Sequence, residues 1–544
     1  MEIIFGDKLF KEPLKIIEVF DSVDILSALS ELNQYAKKYW TAGYLRYDAF
    51  TKSGKSEKPL VFFGIYESSQ EAESSAFYEP FLEIKEQLSF ADYKKKFENI
   101  KAEIILGNTY QVNFTFDHLV KAYSSAENLF YYLKEKQNTA YAALIKNQYE
   151  EILSFSPELF FEIDGDKIWT KPMKGTAALD DKELLFTEKI KAENLMIVDL
   201  LRNDLACVAD AASVKVESLL DIEQHKTLYQ LTSTISAKFK EIDYQKIFQA
   251  LFPCGSITGV PKLETMRVIK DLEEGDRGIY CGAIGYTSPE KKAVFSVPIR
   301  ILQSHFQNTW QFRVGSGVVW DSDTEQEWQE NLLKMQFLKV RQDFNLIETM
   351  LFDGENIVYL QEHLRRLEKS AEFFGFLAGK FLNDFQNITK NKLLRVNNDF
   401  DFNVPKIVRM ELKRNGEYSF QVLELKELLF KKIKISKTVL DQDNIFLRHK
   451  TTRREWYQGE EAIFFNQAGE LCETNRFNIF LEHRGELVTP DLESGLLPGI
   501  LRAELIKKGK CQAKKLYLAD LKKADKVLIG NSVRGLIAIK PDLK

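Results

Sequence analysis

Residues 156–176 read SPELFFEIDGDKIWTKPMKGT. Asp164-Gly165-Asp166 is turn chemistry between two apolar runs, so the stretch reads as two antiparallel strands closed by a hairpin. Glu158 and Lys174 stand sixteen residues apart, a spacing that such strands bring face to face. A Glu raised above its ordinary pKa of about 4.3 serves as a general acid, and a Lys lowered below about 10.4 serves as a nucleophile. A surface ion pair across the hairpin, worth little in stability, satisfies the same spacing.

Working outward, the first hundred residues alternate apolar segments (42–47, 60–66) with polar turns and read as strands. Helical spacing covers 93–105 and 115–136, with short strands at 140–145 and 159–163. Over 181–204 Leu184, Leu185, Ile190, Leu195, Val198 and Leu201 share one helical face. Strands return at 280–286, 293–302 and 310–319, followed by an acidic-then-basic helix over 323–342 that ends near Arg341. Helices and strands interleave without strict βα alternation, which predicts α+β layering rather than a doubly wound sheet. A new strand at 346–352, closed by Asp353-Gly354, places a seam at 338–346 between two different modules, 1–338 and 346–544.

The 544 residues are 44% hydrophobic and 28% charged with a net charge of −5, which excludes a disordered chain. No basic stripe appears, so counterion release on nucleic acid is not the expected mode of binding. Five cysteines lie far apart with no CxxC, which argues against a disulfide framework or zinc cluster and for a reducing compartment. The N-terminus lacks a basic-then-apolar leader and no window of about 18 apolar residues occurs, so neither export nor a membrane span is expected. A cytoplasmic location is the expectation.

Three further patterns carry chemistry. Residues 191–204 and the run Glu327-Trp328-Gln329-Glu330 with Lys334 place carboxylates on apolar helices. Two such helices facing each other make an incomplete oxygen shell suited to Mg²⁺; solvated helix faces are the plainer alternative. Residues 252–262, FPCGSITGVPK, set glycines and the hydroxyls of Ser256 and Thr258 before a helix, where backbone N–H groups meet an anion or simply make a turn.

With SPELF, PMKGT, AENLMIVDLLRND, FPCGSITGVPK, YCGAIGY, Ile299-Arg300 and VGSGVVWDSD in order, the module over 1–338 resembles the chorismate-utilising enzymes, specifically component I of aminodeoxychorismate synthase. The resemblance implies a β-sandwich layered with helices. It implies that Glu158 protonates the departing C4 hydroxyl of chorismate and that Glu193 and Glu330 hold Mg²⁺. Arg300, Lys334 and the backbone at Gly315 and Gly317 would hold the substrate carboxylates, with Ser256 and Thr258 also substrate-binding. Lys174 sits where anthranilate and isochorismate synthases carry a small apolar residue. It implies attack at C2 and later displacement by ammonia at C4. Tyr229 and Gln230 stand where many chorismate enzymes have His. No cysteine has the surroundings of an amidotransferase nucleophile, so a separate glutamine amidotransferase subunit, or free ammonia, is the expected nitrogen source.

The second module contains Glu362-His363-Leu364-Arg365-Arg366-Leu367, then HKTTR at 449–453, CETNRFNIF at 472–480, LLPG at 496–499 and GNSVRG at 530–535. A Lys beside Thr hydroxyls, a carboxylate further on and two glycine-bearing loops meet the requirements of pyridoxal phosphate (PLP). Lys450 in an exposed basic run and Glu473 as a turn carboxylate are the plainer alternatives. As an ordered set these blocks resemble the fold-type IV PLP enzymes, a two-subdomain α/β group of aminotransferases and 4-amino-4-deoxychorismate lyase. The resemblance implies Lys450 as Schiff-base lysine and general base, and Glu473 as partner of the pyridine nitrogen. Arg366, Gly499, Ile500, Asn531 and Ser532 fall at phosphate-binding positions, and a homodimer through this module is implied. The KTTR wording favours the lyase. The product expected from both halves is 4-aminobenzoate, with an anthranilate-forming first half, an aminotransferase or an inactive scaffold as alternatives.

Overall fold

The structure is a computed structural model that describes all residues except 74–75, 87, 179–182, 184, 186, 225–227, 307, 341–342, 387–403, 429–431 and 544. Within the helix expected over 181–204, residues 181–182, 184 and 186 lie outside the described residues, as does Arg341; the helix itself is Glu188–Ala206, capped by the Thr187 side chain, so Leu185 precedes it, and Leu195, expected on its apolar face, is exposed. Among the described residues no helix is long and apolar enough to cross a membrane.

The chain forms two compact units. The first comprises Met1–Phe77, Leu82–Ala122 and Ala126–Lys339. Its two ten-stranded sheets share one core, with Phe5, Ile145 and Ile152 from one sheet and Phe62, Phe161 and Phe295 from the other. This is the expected α+β sandwich. Residues 156–176 form the expected hairpin, Leu159–Asp164 paired antiparallel with Lys167–Lys171, and Met173–Ala178 then pairs with Leu228–Lys238 instead.

Three further local expectations are corrected. The helix expected over 323–342 runs only Thr324–Lys334 and is followed by a single tighter turn, Gln336–Leu338. Residues 115–136 are not one helix: Gln111–Tyr123 is a strand and Ala126–Gln137 a helix. The reason is visible in the burial of Phe114, Phe116, His118, Val120 and Ala122, a period of two that apolar content alone had obscured. Residues 293–302 are two strands, Lys292–Ser296 and Ile301–Phe306, interrupted where Arg300 takes φ +55°. That left-handed backbone is rare for a side-chain-bearing residue and costs about 1 kcal/mol or more.

The second unit comprises Val340–Lys544 together with Tyr78–Phe81 and Tyr123–Ser125, so its boundary differs from the seam at 338–346 by two short early segments. A three-stranded sheet, Leu346–Phe352, Lys406–Leu412 and Tyr418–Glu424, packs with helix Leu360–Phe374 around Leu346, Met350, Leu364 and Phe374. A nine-stranded mixed sheet builds a second core around Ile463, Ile479 and Ile529. The two cores are the two subdomains expected of this half.

Candidate active sites

In the first unit the site is organised by Ser256. Its hydroxyl donates to Glu158 Oε1 at 2.6 Å, and its carbonyl accepts from Lys174 Nζ at 3.0 Å. The acid and the amine are therefore joined through one residue of the 252–262 loop, and the surface ion pair across the hairpin is not what forms. Cys254 Sγ lies 3.1 Å from Ser256 Oγ, and burial pushes its thiol up to about 12, so it stands there as a neutral thiol. Glu158 is 6% exposed. Burial raises its pKa above the ordinary range, opposed by the Ser256 hydrogen bond and the Lys174 charge.

The scaffold explains why these groups meet. Helix Glu188–Ala206 packs directly on the loop, since a Cβ on Gly255 would come within 2.2 Å of Leu200 Cδ2. Asp204 and Lys262 form an ion pair at 2.7 Å, tying that helix to the first residue of helix Lys262–Leu272. Strand Gly259–Val260 pairs with Gln111–Tyr123, which pairs with Thr309–Val319 and sets Asn113 opposite Gly317 and Thr115 opposite Gly315. The Thr258 carbonyl accepts from Asn113 N–H at 2.9 Å. Lys334 Nζ donates to the Gly315 carbonyl at 2.8 Å and pairs with Glu330 at 2.7 Å. Hydrogen bonds and adjacent strands thus connect Glu158, Lys174, Ser256, Thr258, Gly315, Gly317, Glu330 and Lys334.

Arg300 precedes the strand next to Thr309–Val319, and its Nη1 donates to Gln137 Oε1 at 2.6 Å. Glu193 is half-buried on helix Glu188–Ala206, next to Asn194, whose Oδ1 accepts from Ser233 Oγ at 2.7 Å. Tyr229 and Gln230 lie on the strand paired with Met173–Ala178, Gln230 opposite Thr176. Among the described residues no group of three or more His, Cys, Asp and Glu forms a metal shell. Two carboxylates, Glu193 and Glu330, are hard oxygen donors of the kind Mg²⁺ takes when substrate and water complete its shell.

In the second unit the sequence places a lone acid, Glu348, in the apolar strand Leu346–Phe352, where it is 1% exposed. Arg366 grips it bidentately, Nε to Oε1 at 2.8 Å and Nη2 to Oε2 at 2.6 Å, while His363 Nδ1 sits 2.7 Å from Oε2. His363 and Arg366 are i, i+3 neighbours on helix Leu360–Phe374, so one helix face delivers both. Burial pushes Glu348 up, but Arg366 and His363 overcome it and hold the carboxyl down to about 2. Arg366 Nη1 also reaches the Pro498 carbonyl at 3.2 Å. Next to it Gly499 is the N-cap of helix Ile500–Lys507 and has no side-chain cap. A Cβ on Gly499 would lie 1.9 Å from Asn478 Oδ1, so only glycine allows this approach.

Lys450 is part-buried. Burial lowers its pKa to about 7, helped by Arg454 and Arg366 and opposed by Glu348 and Glu473. Glu473, 5% exposed, is raised by burial to about 7 against bonds from Tyr457 and the Leu497 N–H and the charge of Arg454. Tyr457 O–H donates to its Oε1 at 2.5 Å and Asn478 Nδ2 to its Oε2 at 3.2 Å. Neither plainer alternative survives: Lys450 is not on a solvated run, and Glu473 is not a turn carboxylate. Asn531 Oδ1 accepts from Val533 and Arg534 N–H at 3.1 and 3.0 Å, shaping the turn that contains Ser532. Asn478 pairs with Gly530 across adjacent strands, which connects that turn to Glu473. A near-neutral amine, a buried carboxyl, and an arginine beside an open helix N-terminus fit the amine, pyridine and phosphate requirements of PLP.

The sequence reading missed Glu348, His363, Arg454 and Tyr457. Glu348 carried a signal, a single carboxylate in an otherwise apolar strand; Tyr457, seven residues past Lys450, carried none by spacing. Glu348→Gln is expected to leave Arg366 without its buried anion. The loss should be about 3 kcal/mol by urea unfolding, with weaker PLP binding by fluorescence titration. Because its folded pKa is depressed, the wild-type contribution is complete above the ordinary carboxylate range and lost as pH falls through about 2. An unchanged midpoint with unchanged PLP affinity contradicts this.

Residues 65–340 match the chorismate binding enzyme family, and residues 345–541 match the class IV aminotransferases. Aminodeoxychorismate synthase component 1 of Escherichia coli is 37% identical over 254 residues, 45% of this chain and 56% of that protein. An anthranilate synthase component 1 of Haloarcula marismortui is 32% identical over 289 residues, 51% of this chain and 57% of that protein. The chain spans about half the length of the curated relatives it matches. The crystal structure of anthranilate synthase component I from Streptococcus pneumoniae gives a TM-score of 0.54 at 21% identity, covering 62% of this chain and 92% of that one. That likeness is one of fold.

Proposed function

This chain belongs to the chorismate binding enzyme family, and on that premise we propose that it makes 4-aminobenzoate in two steps. Chorismate and ammonia give 4-amino-4-deoxychorismate and water in the first unit; elimination in the second gives 4-aminobenzoate and pyruvate. The observation that carries the reading is Ser256 bridging a buried acid and a lysine amine, Glu158 and Lys174.

In the first step Glu158, whose pKa burial raises above the ordinary carboxylate range, donates its proton to the leaving C4 hydroxyl while Lys174 Nζ bonds to C2. Ammonia then bonds to C4 and the C2–Nζ bond breaks, which returns the lysine. Ser256 keeps donor and nucleophile in register through both events. Arg300 and Lys334 hold the carboxylates, Arg300 through its planar fork. Glu193 and Glu330 would hold Mg²⁺, which supplies charge neutralisation for the ring carboxylate. Glu330 is paired with Lys334, so holding the ion would release the ammonium for substrate.

In the second unit Lys450, Glu473, Arg366 and the N-terminus of helix Ile500–Lys507 would hold PLP, which would supply an electron sink at the substrate amine. Lys450, with a pKa brought to about 7, takes the C4 proton. Glu473, fixed by Tyr457 and Asn478, stays aimed at the ring nitrogen. Aromatisation drives loss of the enolpyruvyl group. Nitrogen comes from a separate amidotransferase chain.

The test is a product assay with purified chain, chorismate, ammonium, Mg²⁺ and PLP. The expected result is 4-aminobenzoate with equimolar pyruvate from ammonium, and none when glutamine replaces it. 2-Aminobenzoate as the product overturns the first step, and accumulation of 4-amino-4-deoxychorismate alone overturns the second.

A further inference from the structure

Two short segments of the first half, Tyr78–Phe81 and Tyr123–Ser125, belong structurally to the second unit. Their contacts there converge on the loop that carries Lys450, Arg454 and Tyr457. Arg453 Nη2 donates to the Glu79 carbonyl at 2.6 Å, and its guanidinium lies 4.5 Å from the Phe446 ring centroid. The Tyr78 ring meets Trp456 edge-on at 5.9 Å. Asp441 Oδ2 receives both the Tyr78 O–H and the Ser125 N–H, each at 2.9 Å. Phe81 packs on Phe374 at 5.1 Å and Tyr123 on Phe373 at 5.2 Å, and these two phenylalanines enclose the ring of His449 at 4.8 and 4.9 Å. On its other side the loop is held by strand Leu346–Phe352, where Ile347 N–H donates to the Lys450 carbonyl at 2.9 Å.

We infer that Tyr78, Phe81 and Tyr123 are positioning residues of the second site: they fix the 449–457 loop and so the direction of Lys450 Nζ, although the sequence assigns them to the other module. Strand Leu346–Phe352, the contact of His449 Nδ1 with Ser370 Oγ at 2.8 Å and the bond from Tyr457 to Glu473 hold the loop by polar contacts, and the aromatic enclosure of His449, the residue before Lys450, is completed by Phe81 and Tyr123 behind Phe374 and Phe373. Well-packed aromatic pairs contribute beyond their buried area and lock rotamers, which is what an amine aimed at one atom requires. It follows that a cut at 338–346 would not release a working second module.

The inference rests on the proposed second activity, so its test carries one readout free of it. In the full chain, Tyr78→Phe removes only the hydroxyl given to Asp441, and Phe81→Ala and Tyr123→Ala open the aromatic cluster. The expected result is chorismate amination at the wild-type rate, with kcat of the second step reduced at least fivefold. The pH at which the visible absorbance of bound PLP changes should move, because the loop no longer holds Lys450 in one fixed direction among its charged neighbours. Amide hydrogen exchange at 447–457 should rise about tenfold. Unmoved exchange with an unmoved absorbance titration overturns the inference, as does equal loss of both steps in all three variants. A wild-type chain that binds no PLP defeats the proposed second activity; the exchange result then decides the inference alone.

Discussion

Lys450→Ala is expected to stop 4-aminobenzoate formation while 4-amino-4-deoxychorismate accumulates at the rate at which wild type aminates chorismate. Three functions leave with one side chain: the covalent anchor for PLP, the base for the C4 proton and the positive charge beside Glu473. General base catalysis alone is worth about 10²–10⁴-fold, so the second step should fall by about 10³-fold or more. Stability should move the other way. The folded state lowers the amine to about 7 from an ordinary lysine value, so between those values the unfolded chain binds more protons than the folded one. Stability in cofactor-free protein therefore rises with pH over that window, and at neutral pH the buried amine is a liability. The cofactor-free variant should unfold no earlier than cofactor-free wild type, with a flatter pH dependence. Retention of 4-aminobenzoate at the normal rate removes Lys450 from the mechanism. An unfolded variant removes the claim that its amine is held against its preference.

What the sequence disclosed and what it hid divide along physical lines. The hairpin at 159–171, the strand at 346–352 and the α+β layering follow from apolar periodicity and turn chemistry, which act locally, whereas the sandwich was implied by the family resemblance. The strand Gln111–Tyr123 was misread because FDHLVKAY satisfies a helical count as readily as an alternating one, and only its sheet partners decide. At the first site the residue types at Glu158, Lys174 and Ser256 were legible. Their joining through the Ser256 hydroxyl and carbonyl was not, because it depends on a loop nearly a hundred residues away closing on the hairpin. At the second site Lys450 and Glu473 were legible by pattern. The group that aims Arg366, Glu348, lies eighteen residues before it and is recognised only once buried. The segments 78–81 and 123–125 were invisible because no local property marks a residue as packing into another module.

Lys174→Ala is expected to reduce the amination of chorismate by about 10³-fold, the range of a lost nucleophile combined with lost orientation. Its structural cost is small: one hydrogen bond to the Ser256 carbonyl from a half-buried amine, about 1 kcal/mol. Glu158 keeps its bond from the Ser256 hydroxyl, so the residual rate reports the acid acting without the nucleophile. That makes its pH dependence diagnostic. The Lys174 charge works against burial and lowers the Glu158 pKa, so removing it raises that pKa further. A general acid must be protonated to act, and a higher pKa keeps it protonated to higher pH. The alkaline limb of the residual rate should thus move upward relative to wild type, while Glu158→Gln should abolish that limb. If the two groups act as one unit, the double variant will be little slower than the slower single variant, rather than the product of the two losses. Full amination by Lys174→Ala removes it as the nucleophile. A residual rate whose alkaline limb stays in place or moves down contradicts the electrostatic coupling of Glu158 to Lys174 through the shared Ser256.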